Sequence, residues 1–381
     1  MLYRELGQTG LKVSQLGFGA MRLPMVKDGE EKKVNDELAV PMIHKAIEAG
    51  VNYIDTAVMY CHHDSQRAVG KALKGWRDKV VVSTKNHYFG DDESKWWQNL
   101  EDSLRLLDID CIDIYNCHGM NWDTKWCQWV DPYISKWLQK AKDQGLIKHI
   151  CCSFHDNAEN LVKIIDTDFF ESITLQYNIL DRKLEDGIAY AKEKNLGVVV
   201  MGPVGGGRLG AGSEVLEGLL PHIERVPELA MRFVLSNPNV DVALSGMSTM
   251  EHVEENIQVC SDKISLKEEE KQAIEEHLAR MHEMEKLYCT GCEYCLPCPQ
   301  EVAIPKIFER YNVGRVYGLW EHAKKAYSRI GTNKWDTGNK ADACVDCGIC
   351  EDKCPQDIPI RKQLKEAHAM LAEEDTAKAA E

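Results

Sequence analysis

Short β-like segments alternate with longer helical segments from Leu2 to about Cys260, and this alternation constrains the fold more than any other feature. Eight segments have the length and apolar character of buried strands: Gln15–Gly19, Asn52–Asp55, Lys79–Thr84, Ile112–Asn116, His149–Ser153, Ser172–Gln176, Gly197–Met201 and Asp241–Ser245. Eight further segments have helical periodicity: Val40–Ala49, Ser65–Leu73, Ser94–Leu106, Pro132–Gln144, Ala158–Ile165, Leu184–Glu193, Pro227–Ser236 and Met250–Val259. Eight strands alternating with eight helices in roughly 250 residues predict an α/β fold, a parallel (β/α)8 TIM barrel.

The charge and hydropathy of the chain exclude several classes of protein. The 381 residues carry a formal net charge of −15, whereas a nucleic-acid-binding protein usually presents a basic face. No apolar run approaches the ~18 residues of a membrane-spanning helix, and the N-terminus lacks the apolar core of a signal peptide. We therefore expect no nucleic-acid partner and no membrane association, and we predict a cytoplasmic location.

Eight of the fifteen cysteines fall in two short runs. The runs are Cys289-x2-Cys292-x2-Cys295-x2-Cys298-Pro299 and Cys344-x2-Cys347-x2-Cys350-x3-Cys354-Pro355. In a reducing cytoplasm, clustered thiols indicate metal ligands rather than disulfides. The second run has the spacing of a bacterial ferredoxin [4Fe–4S] site, and the first run differs only in its last gap. The sequence thus predicts two [4Fe–4S] clusters, and tetrathiolate zinc is the alternative.

These features divide the chain into three parts. Residues 1–264 are predicted to form the barrel, with Leu2–Val13 as a short hairpin that closes its bottom. Residues 265–287 are predicted to be a charged amphipathic linker helix. Residues 288–381 are predicted to be a mostly α-helical, ferredoxin-like iron–sulfur domain, in which Ala367–Glu381 should fray. We expect such a protein to work in an anaerobic setting.

Four side chains with acid–base chemistry follow successive predicted strands. Asp55 and Tyr60 follow the second strand, Lys85 ends the third and His118 lies at the end of the fourth. In such barrels the active site lies at the C-terminal ends of the strands. A phenol has a pKa of about 10, and a nearby ammonium lowers it. We therefore expect Tyr60 to protonate a carbonyl oxygen, with Lys85 lowering its pKa, Asp55 holding Lys85, and His118 bonding the substrate oxygen.

The segments that carry these four residues resemble the aldo-keto reductase family. The similar segments are Gly50-Val51-Asn52-Tyr53-Ile54-Asp55-Thr56-Ala57 followed by Tyr60, then Val81-Val82-Ser83-Thr84-Lys85, then Ile114-Tyr115-Asn116-Cys117-His118. The resemblance covers residues 2–260, and the whole chain resembles the iron–sulfur branch of the family. It implies a barrel, a catalytic tetrad of Asp55, Tyr60, Lys85 and His118, and a nicotinamide cofactor bound without a separate dinucleotide-binding domain.

The same resemblance implies where the cofactor binds. Positions that hold the nicotinamide carboxamide match Ser153 and Gln176, with His155 where the family usually has Asn. Met201, followed by Gly202, stands where a Tyr often stacks on the nicotinamide ring. This departure leaves room for a flavin, although the sequence contains no recognisable flavin motif.

The adenine side of the cofactor is matched by the segment that follows the last strand. The residues implied to bind there are Gly246, Ser248, Glu255 and Asn256. Members that prefer NADPH use Lys and Arg for its 2′-phosphate, whereas Gly246 and His252 stand at the aligned positions here, beside Glu251 and Glu254. Acidic neighbours disfavour a phosphate dianion. We therefore expect NADH or NADPH to bind, and the sequence favours NADH.

In two-cluster ferredoxins the fourth cysteine of each run ligates the other cluster. By this resemblance, one cluster is held by Cys289, Cys292, Cys295 and Cys354. The other is held by Cys344, Cys347, Cys350 and Cys298. The segment between the runs is longer than in a ferredoxin and has a helical pattern, which leaves the exchange of fourth ligands open.

Three other features have two readings each. Gly205-Gly206-Gly207-Arg208 either offers backbone amides to a pyrophosphate or is a flexible loop. Trp122, Trp126 and Trp129 either contact a large, apolar or aromatic substrate or pack one helix face on the core. The seven scattered cysteines are expected to be small buried side chains, and two of them, Cys61 and Cys117, adjoin the site.

The sequence leaves three functions to be distinguished. The first is an NAD(P)H-dependent reductase of a carbonyl or related unsaturated small molecule, whose clusters transfer electrons to the site or to a redox partner protein. The second is a plain carbonyl reductase with structural clusters. The third is a non-enzymatic electron carrier or sensor, which the intact tetrad argues against.

Overall fold

Eight parallel strands close into a barrel in the computed structural model, as the alternation predicts. The structure describes residues 1–28, 31–210, 212–213, 215–217, 219–220, 222–223, 225–261, 266–286, 289, 291–354 and 358–372. Within these residues the strands are β1 (Tyr3–Glu5), β2 (Lys12–Ser14), β3 (Leu16–Gly19), β4 (Met25–Asp28), β5 (Glu31–Val34), β6 (Tyr53–Asp55), β7 (Val81–Asn86), β8 (Ile112–Met120), β9 (Ile147–Phe154), β10 (Ser172–Gln176), β11 (Gly197–Met201) and β12 (Val242–Gly246). Around the barrel the order is β3, β6, β7, β8, β9, β10, β11, β12 and back to β3. The predicted fold class is confirmed.

The helices follow the strands at nearly the predicted bounds. They are α1 (Asp36–Glu48), α2 (Ser65–Leu73), α3 (Glu93–Leu107), α4 (Ser135–Asp143), α5 (Ala158–Ile165), α6 (Glu185–Glu193), α7 (Val226–Ser236), α8 (Met250–Ser261), α9 (Glu268–Lys286), α10 (Ile304–Tyr317), α11 (Trp320–Ser328) and α12 (Ile360–Leu371). The first helix begins four residues earlier than predicted, because Asp36 and Glu37 lie in its first turn. Carboxylates are favourable at the positive end of a helix.

The bottom of the barrel is closed by the predicted hairpin of β1 and β2. Leu6 is fully buried and belongs to an apolar cluster with Val13, Tyr53, Ile114 and Val199, among others. Gly197 leaves room for this plug, because a Cβ there would lie 2.7 Å from the Leu6 side chain. The hairpin therefore contributes part of the barrel's own core.

Two elements of the barrel part are not predicted from the sequence. One is the short antiparallel hairpin of β4 and β5, whose strands are too charged for a clear apolar alternation. The other is a π-helix over Trp122–Ile134, with Pro132 inside it, directly before α4. The predicted helix Pro132–Gln144 is therefore wrong at its start, because the wide turns already begin after β8.

Two compact units make up the chain: Met1–Gly206 with Ala230–Leu266, and Gly207–Leu229 with Lys267–Glu381. The predicted bounds at 264, 265, 287 and 288 lie outside the described residues, so the three-part division stays a prediction. The fraying predicted for Ala367–Glu381 is not described beyond 372, and α12 continues to Leu371.

The second unit has an apolar core built by helices α10, α11 and α12. Ile307, Phe308 and Leu364 are almost fully buried in it. Tyr327 links two segments of this unit, because its hydroxyl accepts a bond from the Ala341 amide at 3.1 Å and lies 2.7 Å from the His368 Nδ1. Among the described helices, none is long and apolar enough to cross a membrane.

Leu6→Ala should lower the free energy of unfolding of the barrel by about 2–5 kcal/mol, because it opens a cavity at the plug. Leu2→Ala is the matched control, since Leu2 is 41% exposed on the same hairpin, and its effect should stay within about 0.5 kcal/mol. Urea unfolding of both cluster-loaded variants measures the difference. Equal effects of the two substitutions would contradict the role of Leu6 in the core.

Candidate active site and cysteine pockets

A buried ion pair joins strands β6 and β7 at the mouth of the barrel. The Lys85 Nζ donates to the Asp55 Oδ2 at 2.6 Å and to the Thr56 carbonyl at 2.9 Å. Ser83 donates to the other oxygen of Asp55 at 2.9 Å, and Asn116 donates to Ser83 at 3.1 Å. Burial lowers the pKa of Lys85, but Asp55 and Tyr60 together outweigh burial and raise this pKa above its ordinary value. Lys85 is therefore a fixed positive charge.

Tyr60 lies beside this pair and against His118. The Lys85 Nζ is 4.7 Å from the centroid of the Tyr60 ring, and the rings of Tyr60 and His118 meet edge to face with centroids 6.1 Å apart. Burial raises the pKa of Tyr60, and Lys85 only partly opposes it. Lys85 thus lowers this pKa as expected, but the net pKa is raised because the cost of burying a phenolate is larger than the attraction of the ammonium.

His118 is an uncharged imidazole at neutral pH. Burial, followed by the positive charge of Lys85, lowers the pKa of His118 to about 3. Its Nδ1 is buried and has no hydrogen-bond partner among the described residues. The ring is consequently available as a neutral hydrogen-bonding group. The structure brings Asp55, Lys85, Tyr60 and His118 together.

A left-handed turn directly after Tyr60 is a feature that the sequence does not reveal. Cys61, His62 and His63 have φ values of 51°, 54° and 69°, which non-glycine residues rarely adopt and which are costly. The Cys61 thiol donates to the Ala20 carbonyl at 3.5 Å, and the Ser65 amide donates to the Tyr60 carbonyl at 3.3 Å. The thiol bond ties the segment directly after Tyr60 to the residues that follow β3.

Three predicted nicotinamide-binding residues end neighbouring strands. Ser153 in β9 is buried and accepts a bond from the Gly119 amide at 2.8 Å. Gln176 ends β10 and pairs in register with Met201 at the end of β11. Gly202 has a φ of +65°, and a Cβ there would lie 2.6 Å from the Gln176 side-chain amide. The Ser153 hydroxyl and the Gln176 side-chain amide are groups that can pair with a carboxamide, so the donor and acceptor types fit that ligand.

His155 lies just beyond β9, and its Nδ1 is 3.2 Å from the Ser153 carbonyl. Burial lowers the pKa of His155. It therefore contributes a second neutral imidazole near His118, rather than the amide that the family usually has at this position.

The predicted adenine-side residues lie along β12 and α8. Gly246 ends β12, and the Asn256 amide in α8 donates to Ser245 at 3.1 Å. Ser248 contacts His252 Nδ1 at 3.3 Å. Glu255 lies in the same helix.

Arg22 is a candidate cofactor ligand that sequence reasoning missed. Its guanidinium donates to the Gly206 carbonyl at 2.8 Å, and a Cβ on Gly246 would lie 3.4 Å from its side chain. No motif marks this arginine, because only the fold brings it beside residues 206 and 246. The Gly205–Gly210 segment forms a 3-10 helix, and the side chain of Arg208 lies outside the described part of the chain.

The tryptophans after β8 lie on the π-helix. Trp122 and Trp126 stack with centroids 6.3 Å apart and planes 14° apart. Trp126 is buried against Phe169 and Phe170, and Trp129 packs near Tyr133. Trp126 therefore packs on the core, as one of the two alternatives predicts, whereas part of the Trp122 surface is exposed.

The eight clustered cysteines line two pockets in the second unit. One pocket is lined by Cys289, Cys292, Cys295 and Cys354 with apolar side chains such as Phe308. The other is lined by Cys298, Cys344, Cys347 and Cys350, and Cys295 lines it too. Each pocket therefore contains thiols from both runs.

The spacing of these thiols argues against a single metal ion. A zinc ion needs four thiolates about 2.3 Å from one point. Among the described residues, no three His, Cys, Asp or Glu side chains converge closely enough to hold one ion. Thiols that line a wider, mostly apolar pocket fit a polynuclear iron–sulfur cluster.

The seven scattered cysteines were expected to be buried, but not all of them are. Cys117, Cys151, Cys152 and Cys260 are buried, but Cys127 is exposed. The expectation is wrong for Cys127 because it lies on the outer face of the π-helix, which sequence reasoning had not placed. Cys61 and Cys111 are partly buried.

Two sequence models of known families match the chain. A model of the aldo/keto reductase family matches residues 15–217 and 221–279, which is more than half of the chain. A model of a 4Fe-4S dicluster domain matches residues 288–358.

Similar proteins come from several organisms. An uncharacterized oxidoreductase of Bacillus subtilis strain 168, YqkF, is 28% identical over 312 residues, which are 73% of this chain and 96% of the relative. L-galactose dehydrogenase of Arabidopsis thaliana is 27% identical over 299 residues, with 69% of this chain and 89% of the relative covered. The holo structure of aldo-keto reductase AKR11C1 from Bacillus halodurans is 29% identical, with a TM-score of 0.63 and coverage of 73% and 96%. The apo form is 30% identical over 73% of this chain.

The His118 ring should stay neutral while ordinary histidines titrate. In the unfolded chain its pKa is about 6.5, so acid protonates the unfolded form first. His118 therefore reduces the stability of the fold as the pH falls from about 6.5 to 3, and imposes no such cost above about 6.5. NMR of the ring carbons, assigned with His118→Gln, should show no titration of His118 between pH 8 and pH 5. A midpoint near 6.5 in the folded protein would contradict this.

Proposed function

The chain belongs to the aldo/keto reductase family and carries a 4Fe-4S dicluster domain, and on this premise we propose that it reduces a small carbonyl compound with a nicotinamide cofactor. The chain is thus an oxidoreductase, and the proposal concerns its substrate, its cofactor and the task of its clusters. The observation that carries it is the position of Tyr60 between the Lys85 ammonium and the neutral ring of His118.

Each residue of the tetrad has a separate role in the proposed carbonyl reduction. The nicotinamide, when bound, supplies the hydride that reaches the carbonyl carbon. Tyr60 holds the proton that the carbonyl oxygen must gain, and its raised pKa keeps that proton on the phenol before reaction. Lys85, held by Asp55, stabilises the phenolate that remains. His118 orients the carbonyl oxygen through a hydrogen bond, because its neutral ring can donate one.

The remaining strand ends are proposed to hold the cofactor. Ser153, His155 and Gln176 would bind the carboxamide, with Met201 and Gly202 against the ring. The adenosine half would lie along Gly246, Ser248, Glu255 and Asn256. We place Arg22 at the pyrophosphate, because a guanidinium suits phosphate geometry.

NADH is the proposed preferred cofactor. His252 is engaged by Ser248, and Glu254 pairs with Lys45 at 3.5 Å on the surface. A 2′-phosphate at this point would meet acidic side chains rather than a dedicated cation, whereas free ribose hydroxyls can donate to them.

The cysteines are proposed to hold two [4Fe–4S] clusters with exchanged fourth ligands. Cys289, Cys292, Cys295 and Cys354 would hold one, and Cys344, Cys347, Cys350 and Cys298 the other. The lining of the two pockets supports this assignment. The clusters, when bound, accept and release single electrons.

A hydride carries two electrons, whereas each cluster takes one. If the clusters take part in turnover, the chain needs either a sequential transfer to a redox partner protein or a flavin as adaptor. The replacement of a stacking Tyr by Met201 leaves space for such a ring.

The second candidate is a plain carbonyl reductase with structural clusters. It is favoured by the participation of Cys295 and Cys350 in the apolar core of the second unit. Anaerobic addition of NADH separates the two: bleaching of the cluster absorbance supports electron transfer, and unchanged absorbance with a turned-over carbonyl supports the structural role.

We further propose a cytoplasmic protein, acting under anaerobic conditions on a small molecule with an aromatic part. The exposed portion of Trp122 supports the last point, because its stacked ring offers a flat apolar surface.

Tyr60→Phe should lower kcat for carbonyl reduction by about 10²–10⁴-fold, which is the usual contribution of a general acid. The iron and sulfide content should not change. Tyr133→Phe is the matched control, because Tyr133 is 42% exposed on the π-helix, and it should keep wild-type turnover. Full activity of the Tyr60 variant would overturn the proposed function.

Paired substitutions test which cysteines share a cluster. Cys289→Ala with Cys354→Ala should damage one cluster only and leave about half of the iron, because both ligands belong to the same proposed site. Cys289→Ala with Cys298→Ala should damage both clusters. Iron and sulfide analysis after anaerobic purification measures this. The reverse pattern would show that each run holds its own cluster.

A further inference from the structure

Lys125 presents a second ammonium at the mouth of the barrel. It lies on the π-helix after β8, and its Nζ donates to the carbonyls of His118 at 3.0 Å and Gly119 at 2.7 Å. The same atom is 4.4 Å from the centroid of the Phe89 ring. Two of the three ammonium hydrogens are thereby used, and one donor remains.

This ammonium has no counter-ion. Within the described part of the chain, no carboxylate lies within 4.0 Å of the Lys125 Nζ. The nearby Asp156 is engaged by the Trp122 amide and the Asn160 side chain, at 3.0 Å and 2.9 Å. Lys85, by contrast, has its charge balanced by Asp55. A half-buried charge without a carboxylate partner is costly, so an anionic ligand at this point would stabilise it.

The local backbone is shaped around the ammonium. Gly119 has a φ of +70°, and a Cβ there would lie 2.9 Å from the Lys125 Nζ. The Asn121 side chain accepts a bond from the Lys125 amide at 2.8 Å and so fixes the start of the helix. Lys125 is therefore a positioned side chain rather than a free surface lysine.

The charge of Lys125 acts on three histidines. The charge of Lys125 contributes to lowering the pKa of His87, His118 and His155, although burial is the larger cause for each. An anion bound here would meet one ammonium donor and imidazole donors without displacing any ion pair. One free N–H suits a carboxylate better than a phosphate dianion, which needs several donors.

The position of Lys125 excludes the proposed cofactor phosphates as the anion. Lys125 follows β8, whereas Arg22, Gly206 and Gly246 follow β3, β11 and β12, which are on the opposite side of the closed barrel. The anion recognised by Lys125 must then belong to the substrate.

We propose that Lys125 binds a carboxylate on the substrate, and that the enzyme reduces aldehydes or ketones that carry a carboxylic acid. The inference rests on the proposed reduction at Tyr60 for its reaction, but the binding of the carboxylate can be tested without turnover.

The binding test uses calorimetry with the cluster-loaded protein and NADH present. The probes are 4-(hydroxymethyl)benzoate and the corresponding neutral benzamide. Wild type should bind the acid about tenfold more tightly, which corresponds to one charge-assisted hydrogen bond. Lys125→Met should abolish this preference, and Lys125→Arg should keep most of it. Lys136→Met, at an exposed lysine of α4, is the control and should behave as wild type.

The kinetic test compares 4-formylbenzoate with its methyl ester. The ratio of kcat/KM for acid over ester should fall about tenfold in Lys125→Met, mainly through KM. Equal binding of acid and amide by wild type, or an unchanged ratio in a folded Lys125→Met protein, would overturn the inference. Preserved binding preference without turnover of either carbonyl would instead overturn the proposed function and leave the carboxylate site standing.

Discussion

The buried ion pair of Lys85 and Asp55 is the interaction on which the site depends. Each side chain is only a few percent exposed, so both charges have lost most of their hydration. Hydrogen bonds from Ser83 and to the Thr56 carbonyl offset that loss. Removing one partner of such a pair costs about 3–5 kcal/mol, because the other charge remains buried. The pair therefore joins β6 to β7 and also sets the electrostatic environment of Tyr60.

The two lysines at the mouth of the barrel differ in whether a carboxylate balances their charge, and this difference determines what each can do. The charge of Lys85 is balanced by the Asp55 carboxylate, and its ammonium lies beside the Tyr60 ring. Lys125 is held by carbonyl oxygens alone, so its charge is available to a ligand. The imidazole of His118 is influenced by both cations and remains uncharged, because its burial and then the charge of Lys85 lower its pKa. A chain with a net charge of −15 thus keeps a locally positive mouth.

The sequence predicts the barrel, because buried parallel strands and amphipathic helices have distinct apolar periods. The sequence also predicts that Asp55, Lys85 and His118 lie on one rim of the barrel, because each lies at or just after the end of a predicted strand. It does not reveal the left-handed turn after Tyr60 or the π-helix that carries Lys125, because both are held by contacts with distant residues such as Ala20 and Phe170. The direction in which the Tyr60 pKa is shifted depends on how deeply the ring is buried, and the periodicity of apolar residues in the sequence does not give that depth.

The two cysteine pockets have a consequence for biosynthesis. Each is lined by residues from both ends of a segment of more than fifty residues. Until the second run has been translated, one lining lacks Cys354 and the other lacks Cys344, Cys347 and Cys350. A nascent chain that has exposed only the first run offers three thiols of one pocket and two of the other, because Cys295 lines both. Under the proposed exchange of fourth ligands, neither inorganic centre could be loaded before the second run has left the ribosome, and truncation shortly before that run would prevent maturation of both.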